Sequence, residues 1–464
     1  VEWSEKEKED IALLLEILYL HVTRSRLIRK TREYSYCNLI TMLPNSAGFV
    51  RIIQQRCQNQ TICQYNGFYF NLKSFGLLSY KYGGAEGDLI IKRYAVAVRK
   101  WLAEDETLAH LGGDNFMALV KKSRTAEFLH FLEKVEVTAK YMGRIVPVYI
   151  AAAAGVYEIT AKDRDPRNIM NGLSIAVSYA RQHKLPYAFL TDKMLEETVD
   201  VQRMEQMLPE ALEKREFQVY YQPKVDIRTG QIVGTEALAR WIRNGEVIQP
   251  FRFIPTMERN GFIIHLDLYI LKRVCEAING WIEKGYKLVP ISVNISRNDI
   301  SGVGHDPRML AERIIRIIKE YDIDPKYIII EVTETTEASE QKDLYDFIRN
   351  ISEAGIATSI DDFGTGCSTL SVLRDFPVNE IKIDRSFINH EAFSTQDQII
   401  IKSIIQMARQ LNLNVITEGV ETEEQARFLL ELGCNHAQGY LYDKPLEQSA
   451  FESRLSVGGY DRKI

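Results

Sequence analysis

The chain has no cysteine or histidine pattern that would hold zinc. Its six cysteines (Cys37, Cys57, Cys63, Cys275, Cys367 and Cys434) are scattered, and none of its eight histidines pairs with another at helical spacing. This argues against both a zinc site and a disulfide framework. A membrane-spanning run is also missing: the longest apolar-rich stretch, Ile11 to Val22, is too short and contains Glu16 and His21. With no signal peptide in view, the expected location is cytoplasmic, and a chain that begins at Val1 reads as a piece of a longer protein with a sensor upstream. Positive charge is not in excess. A net charge of −5 provides no basic field for wrapping duplex DNA or RNA, so a phosphate-bearing partner should be small, held by metals and a few side chains.

What is present is a folded α/β composition with carboxylates spaced through its second half. At 464 residues, 45% hydrophobic and 26% charged, the chain is long enough for two domains. Glu236-Ala237-Leu238, Asn294, Glu331-Val332-Thr333-Glu334, Asp361-Asp362-Phe363-Gly364, Lys382-Ile383-Asp384 and Glu418-Gly419-Val420-Glu421 follow one another, several at the end of a short apolar run such as Ile328-Ile329-Ile330 or Val415-Ile416-Thr417. In a barrel of alternating strands and helices, residues at the strand ends converge on one cleft. Carboxylates and an amide gathered there make an oxygen-rich site for hard divalent cations.

The organisation along the chain follows from periodicity. Residues 1–35 read as a helix with Ile11, Leu14, Leu15, Leu18 and Val22 on one face and a basic end at Arg24-Ser25-Arg26 and Arg29-Lys30. Either it pairs in a two-stranded coil or it folds back on its own domain, because the seam is shorter than the three or four heptads that identify a coiled coil. Residues 36–193 alternate strands, such as Phe68–Leu72 and Asn115–Leu119, with helices, one opening at Gly87-Asp88, which predicts a mixed α/β sheet domain. Met204, Met207, Leu208, Ala211 and Leu212 at helical spacing predict a linker helix over 194–216, and a second domain then occupies 217–464.

Tyr221-Gln222-Pro223, Glu236-Ala237-Leu238-Ala239-Arg240-Trp241, Ser292-Val293-Asn294, Glu331-Val332-Thr333-Glu334, Asp361-Asp362-Phe363-Gly364-Thr365-Gly366, Lys382-Ile383-Asp384, Glu418-Gly419-Val420-Glu421 and Gln438-Gly439-Tyr440 are the residues that carry a resemblance. In order and spacing they resemble the EAL family of cyclic di-GMP phosphodiesterases. The resemblance implies a TIM-like (β/α)8 barrel with one strand reversed, and hydrolysis of one phosphodiester bond of cyclic di-GMP to linear pGpG. It also implies two ions, Mg²⁺ or Mn²⁺, since two metals about 3.5–4 Å apart neutralise a phosphodiester and lower the pKa of a shared water.

Residue by residue, Glu236, Asn294, Glu331 and Asp361 match the family's ligands to the first metal, with Asp361, Asp362 and Glu418 around the second. Adjacent Asp361 and Asp362 would point to opposite faces inside a strand, so they can share a centre only where the strand ends and the backbone turns. Lys382 matches the residue that orients or deprotonates the attacking water, with orientation preferred; the plain alternative is a salt bridge to a nearby Asp. Glu334 resembles the glutamate that anchors the loop from Gly364 to Leu370 and couples the metal site to a dimer interface, and a solvated carboxylate is its plain alternative. Gln222 and Arg240 match nucleotide-contacting positions, where a guanidinium offers paired donors to phosphate. Gln438 is assigned to substrate contact or to packing behind it. Cys367 stands where the family usually carries an aromatic residue.

The first domain resembles a GGDEF domain, the diguanylate cyclase fold, with working residues replaced. Gly112-Gly113-Asp114-Asn115-Phe116 stands for the signature and Asn38-Leu39-Ile40-Thr41-Met42-Leu43-Pro44-Asn45 for the opening motif. Asn71 and Asn115 replace acids, Lys73 replaces another, Ser79 stands in place of a guanine-reading Asn, and Asp88 and Asp114 are kept. The inhibitory site of the family falls on Ala103 to Glu106 with both of its key residues changed. Amides in place of carboxylates weaken metal binding, so this tandem GGDEF-EAL arrangement is read as a phosphodiesterase with a catalytically inactive first domain, either GTP-sensing or a dimerisation relay. A homodimer is expected from the resemblance. The alternative is a receptor that binds cyclic di-GMP without cleaving it, which the complete set of acidic ligands disfavours.

Overall fold

A computed structural model of the chain describes residues 13–24, 35–301, 306–333, 338–364, 373–388 and 395–461. Glu334, Cys367 and the segment from Thr365 to Leu370, to which the sequence assigns loop functions, lie outside the described residues, as do Ile11 and the basic end at Arg26 to Lys30. Residues 13–24 are helical and exposed throughout, Leu14, Leu15, Leu18 and Val22 among them. Among the described residues no helix is long and apolar enough to cross a membrane.

The contacts divide the chain into two compact units, Val1–Val201 and Gln202–Ile464. In the first, a five-stranded sheet has the order β2-β3-β1-β6-β7, built from β1 (Tyr65–Leu72), β2 (Thr107–Gly112), β3 (Asn115–Lys121), β6 (Ala152–Glu158) and β7 (Tyr187–Phe189). The strands β4 (Val135–Tyr141) and β5 (Arg144–Ile150) form a separate hairpin. The predicted strand at Phe68–Leu72 lies within β1 and that at Asn115–Leu119 within β3. Gly112 and Gly113, both at positive φ (125° and 57°), make the tight turn between β2 and β3. Buried Phe70, Phe116, Tyr94 and Phe128 pack on one face of this sheet. The helix expected to open at Gly87 opens three residues earlier, as Gly84–Trp101, because Gly83 at φ 89° turns the backbone just before it.

The second unit is a closed barrel. Its strands are β8 (Phe217–Asp226), β9 (Ile232–Arg243), β11 (Ile291–Asn294), β12 (Ile328–Thr333), β13 (Ala357–Phe363), β14 (Glu380–Ile383), β15 (Asn414–Thr417) and β16 (His436–Gln438), with β10 (Glu246–Ile248) added to β9 and β17 (Leu446–Glu447) to β8. Neighbours from β9 round to β16 run parallel, while β8 is antiparallel to both β9 and β16 and closes the ring. The reversed strand is therefore the first. The short isoleucine- and valine-rich runs suit parallel strands covered on both faces, and helices such as Ile263–Glu283 cover them with Leu266, Leu271, Val274 and Ile278.

Local signals set the strand ends. Thr422 caps the helix Glu423–Leu432 in a reciprocal box with Gln425, whose side chain also reaches the Ile388 carbonyl at 3.1 Å, so the turn that carries Glu418 is tied on two sides. Across from it, a Cβ on Gly439 would stand 2.1 Å from Val420 O and 2.3 Å from Val420 N. Glycine is what lets the segments bearing Gln438 and Glu418 touch. Gly439→Ala is expected to cost about 1–3 kcal/mol by forcing them apart, read as a lowered midpoint in thermal denaturation; an unchanged midpoint would contradict this packing.

Candidate active site

The barrel delivers one polar side chain from each of its successive strands to the end where the parallel strands terminate. Glu236 comes from β9, Asn294 from the end of β11, Glu331 from β12, Asp361 from β13 and Lys382 from β14. Glu418 comes from just past β15, where its backbone N–H bonds to Ile383 O, and Gln438 from the end of β16. Residues separated by up to two hundred positions meet because each ends one stave of the same barrel.

Their meeting point is the Lys382 ammonium. It lies 2.8 Å from Glu331 Oε2, 3.2 Å from Glu236 Oε2, 3.3 Å from Asp361 Oδ1 and 2.5 Å from Glu418 Oε1. The last is an ion-pair contact without hydrogen-bond alignment, which leaves Glu418 Oε1 short of a proper donor. Glu236 is further held by Asn294 Nδ2 on Oε1 at 2.7 Å and by Gln438 Nε2 on Oε2 at 2.6 Å. The same Gln438 amide donates to Gln222 Oε1 at 3.1 Å. Gln438 is buried and braces Glu236.

Carboxylates outnumber cations here, and the protonation equilibria register it. Burial raises Asp361 to about 6 against the pull of Lys382, with Glu331 and Glu236 adding to the rise. Burial raises Glu418 to about 8 against the pull of Lys382, with Asp361 and Glu236 adding to the rise. Burial works in the same direction on Glu331, yet Lys224 and Lys382 hold it down at about 2. Lys382 would be discharged by burial alone, but the four carboxylates keep it charged well above its ordinary value. A group so firmly protonated donates hydrogen bonds, here to Glu236 and Glu331. The salt bridge offered as its plain alternative is also present, with four acids rather than one.

Among the described residues no three acids, histidines or cysteines stand ready around an ion, since the ammonium occupies the point on which the acids converge. The donor chemistry nevertheless fits divalent cations. Four carboxylates and one amide, all oxygen donors, share one buried place with too little positive charge to keep every acid ionised.

Asp362 is placed differently from the expectation. Its strand does not end there; β13 continues to Phe363, which pairs with Ile383, and the register slips between Ile360 and Phe363. Asp362 takes φ 53° within this bulge and is exposed, and burial together with Asp384 raises its pKa. The backbone turn at this pair of aspartates is thus a bulge inside a strand. Arg240 is half-buried, its Nη1 donating to Ala239 O at 2.8 Å and its guanidinium 5.7 Å from the Tyr220 ring, with no carboxylate partner among the described residues.

Sequence reading assigned no role to Lys224, Ser292 or Glu380. Lys224 is 2% exposed and donates to Ser292 Oγ, Glu331 Oε1 and Glu380 Oε1 at 2.6, 2.7 and 3.1 Å. Strand alternation was the available signal, since Lys224 is two residues beyond Gln222 and faces the same way.

In the first unit the register sets Asn71 opposite Asn115, and one hydrogen bond joins their amides. Asn71 Nδ2 and Tyr69 OH both donate to Asn115 Oδ1, while Asn115 Nδ2 donates to Gly112 O and Asp114 Oδ1. Asp88 and Lys73 are exposed. Glu106 is buried, pairs with Arg124 and accepts from the backbone of Ala103 and Lys121, so the position expected at an inhibitory site is an internal brace. His110, also missed, is fully buried and joins Thr41 Oγ1 at 3.2 Å to Gly113 O at 2.9 Å, pinning the opening motif to the signature turn.

Comparison with known proteins follows this geometry. The family model described as EAL domain matches residues 205–445, and that described as diguanylate cyclase, GGDEF domain, matches 36–185. The bifunctional diguanylate cyclase/cyclic di-GMP phosphodiesterase MucR of Pseudomonas aeruginosa is 31% identical over 94% of this chain and 65% of its own length. The cyclic di-GMP phosphodiesterase NbdA of the same organism is 28% identical over 99% of this chain and 59% of its own. The chain spans less than two thirds of these curated relatives. Among solved structures, the Pseudomonas aeruginosa MucR phosphodiesterase in complex with c-di-GMP is similar at 35% identity and a TM-score of 0.50, over 54% of this chain and 99% of that one.

Proposed function

Because the chain belongs to the EAL domain family, with a GGDEF domain in tandem before it, we propose that its barrel hydrolyses cyclic di-GMP to linear pGpG. The observation that carries this reading is the convergence of Glu236, Glu331, Asp361 and Glu418 on one buried point at the strand ends. Water adds across one P–O bond of the ring, and the freed ribose oxygen takes a proton.

Glu236, Asn294, Glu331, Asp361, Asp362 and Glu418 would hold two divalent ions, Mg²⁺ or Mn²⁺. Such ions, when bound, neutralise the phosphodiester and lower the pKa of water. Around them the chain's own residues position and donate. Gln438 and Asn294 fix the Glu236 carboxylate, Lys382 offers N–H donors to the attacking water, and Arg240 and Gln222 meet the nucleotide. The first domain is read as catalytically inactive, since amides stand at Asn71 and Asn115, the first donating to the second, where acids would hold Mg²⁺; its roles are GTP sensing or dimerisation.

The test is to incubate the chain with cyclic di-GMP and Mg²⁺ or Mn²⁺, with and without GTP, and follow products by ion-pair chromatography. Expected is pGpG that EDTA abolishes, with a rise on adding GTP if the first domain senses nucleotide. Substrate that binds and stays intact under every condition would replace this reading by a receptor.

A further inference from the structure

Beneath the convergence on Lys382 lies a second buried ammonium, Lys224, that touches neither Glu236, Asp361 nor Glu418. Its three N–H donors are all used, on Ser292 Oγ, Glu331 Oε1 and Glu380 Oε1. Glu331, 0% exposed, is thereby bracketed: Oε1 is tied to Lys224 at 2.7 Å and Oε2 reaches Lys382 at 2.8 Å. Along β8, Gln222 stands opposite Glu236 and Lys224 opposite Gly234, one alternation further from the strand ends, so Lys224 approaches Glu331 from below the site.

We propose that Lys224 is a positioning residue for the metal centre: by holding Oε1 it fixes the Glu331 carboxylate so that Oε2 alone is presented to the point shared with Glu236, Asp361 and Glu418. Ser292 and Glu380 complete the cradle. The alternating face of β11 gives Ser292 to Lys224 and, two residues on, Asn294 to Glu236, while β14 gives Glu380 to Lys224 and Lys382 to Glu331. Two strands thus supply paired groups at two depths, and Lys224 is what joins the lower pair to Glu331. A partner that orients a ligand without touching the metal typically sets affinity by about 10–100-fold. The inference rests on the metal reading above, because the residue that Lys224 holds is assigned there as a ligand.

Lys224→Met alone would strand the buried Glu380 carboxylate and threaten the fold, so the informative variant is Lys224→Met/Glu380→Gln, which removes one charge of each sign. Glu380→Gln alone, which keeps Lys224 on Glu331, is its control. Mn²⁺ binding to the whole chain is measured by titration calorimetry and by electron paramagnetic resonance, with circular dichroism to establish folding. The expected result is a Kd weakened by about 10–100-fold in the double variant, near wild type in Glu380→Gln, and turnover by the double variant that recovers as Mn²⁺ is raised. A folded double variant that binds Mn²⁺ as tightly as wild type would overturn the positioning role while leaving the metal reading standing. A wild-type chain that takes up no Mn²⁺ would end both.

Discussion

Replacing Glu236 by alanine is expected to remove more than about 100-fold of turnover while the barrel stays folded, since losing a partner that merely orients a ligand already costs about 10–100-fold. Glu236 is where three supports meet: Asn294, Gln438 and Lys382 all donate to it. Its removal relieves crowding among acids rather than exposing apolar core, so folding should survive. Turnover of cyclic di-GMP by Glu236→Ala, with Glu236→Gln alongside to keep the shape without the charge, is the check. Retained hydrolysis in the alanine variant would sink the assignment of the whole acidic set.

The second large effect is on stability as well as rate. Lys382→Met takes away the one cation shared by four carboxylates at a 1% exposed position. Breaking a buried ion pair from one side costs about 3–5 kcal/mol, because the abandoned charge remains desolvated. The variant should therefore denature at a clearly lower temperature in EDTA and regain stability on addition of Mn²⁺ by more than wild type does, since a divalent ion would supply the missing charge and binds only the folded state. Its kcat should still fall by about 10²-fold, the scale of loss when a reacting group is no longer held in place. Thermal denaturation with and without metal, beside a turnover assay, reads both. A variant as stable as wild type in EDTA would show that the ammonium does not hold the acids together.

The barrel was legible because its strands are short, apolar and ended by polar residues, and each strand end could be recognised locally. The run Ile328-Ile329-Ile330 before Glu331 and the run Val415-Ile416-Thr417 before Glu418 announce both the stave and the group it carries. The amides at Asn71 and Asn115 were legible in the same way, although only the register shows that the first donates to the second. Lys224 escaped notice because nothing within its own strand reveals Glu331 or Glu380, which lie more than one hundred residues away. Asp362 was expected at a strand end because alternation forbids neighbours from sharing a face. The fold answers with a bulge, which depends on how β13 meets β14 and not on β13 alone.

By itself the amino-acid sequence determined the short apolar runs that precede Glu331 and Glu418, and its ordered motifs carried the resemblance from which the barrel, the acidic set and the altered first domain were expected, because such runs and motifs are properties of a few consecutive residues. The tertiary structure decided the rest: that Lys382 is shared by four acids, that Gln438 braces Glu236, and that Lys224 holds Glu331 from beneath. Those are questions of distance between side chains far apart in the chain, and such distances exist only once the barrel has closed and excluded water from between them.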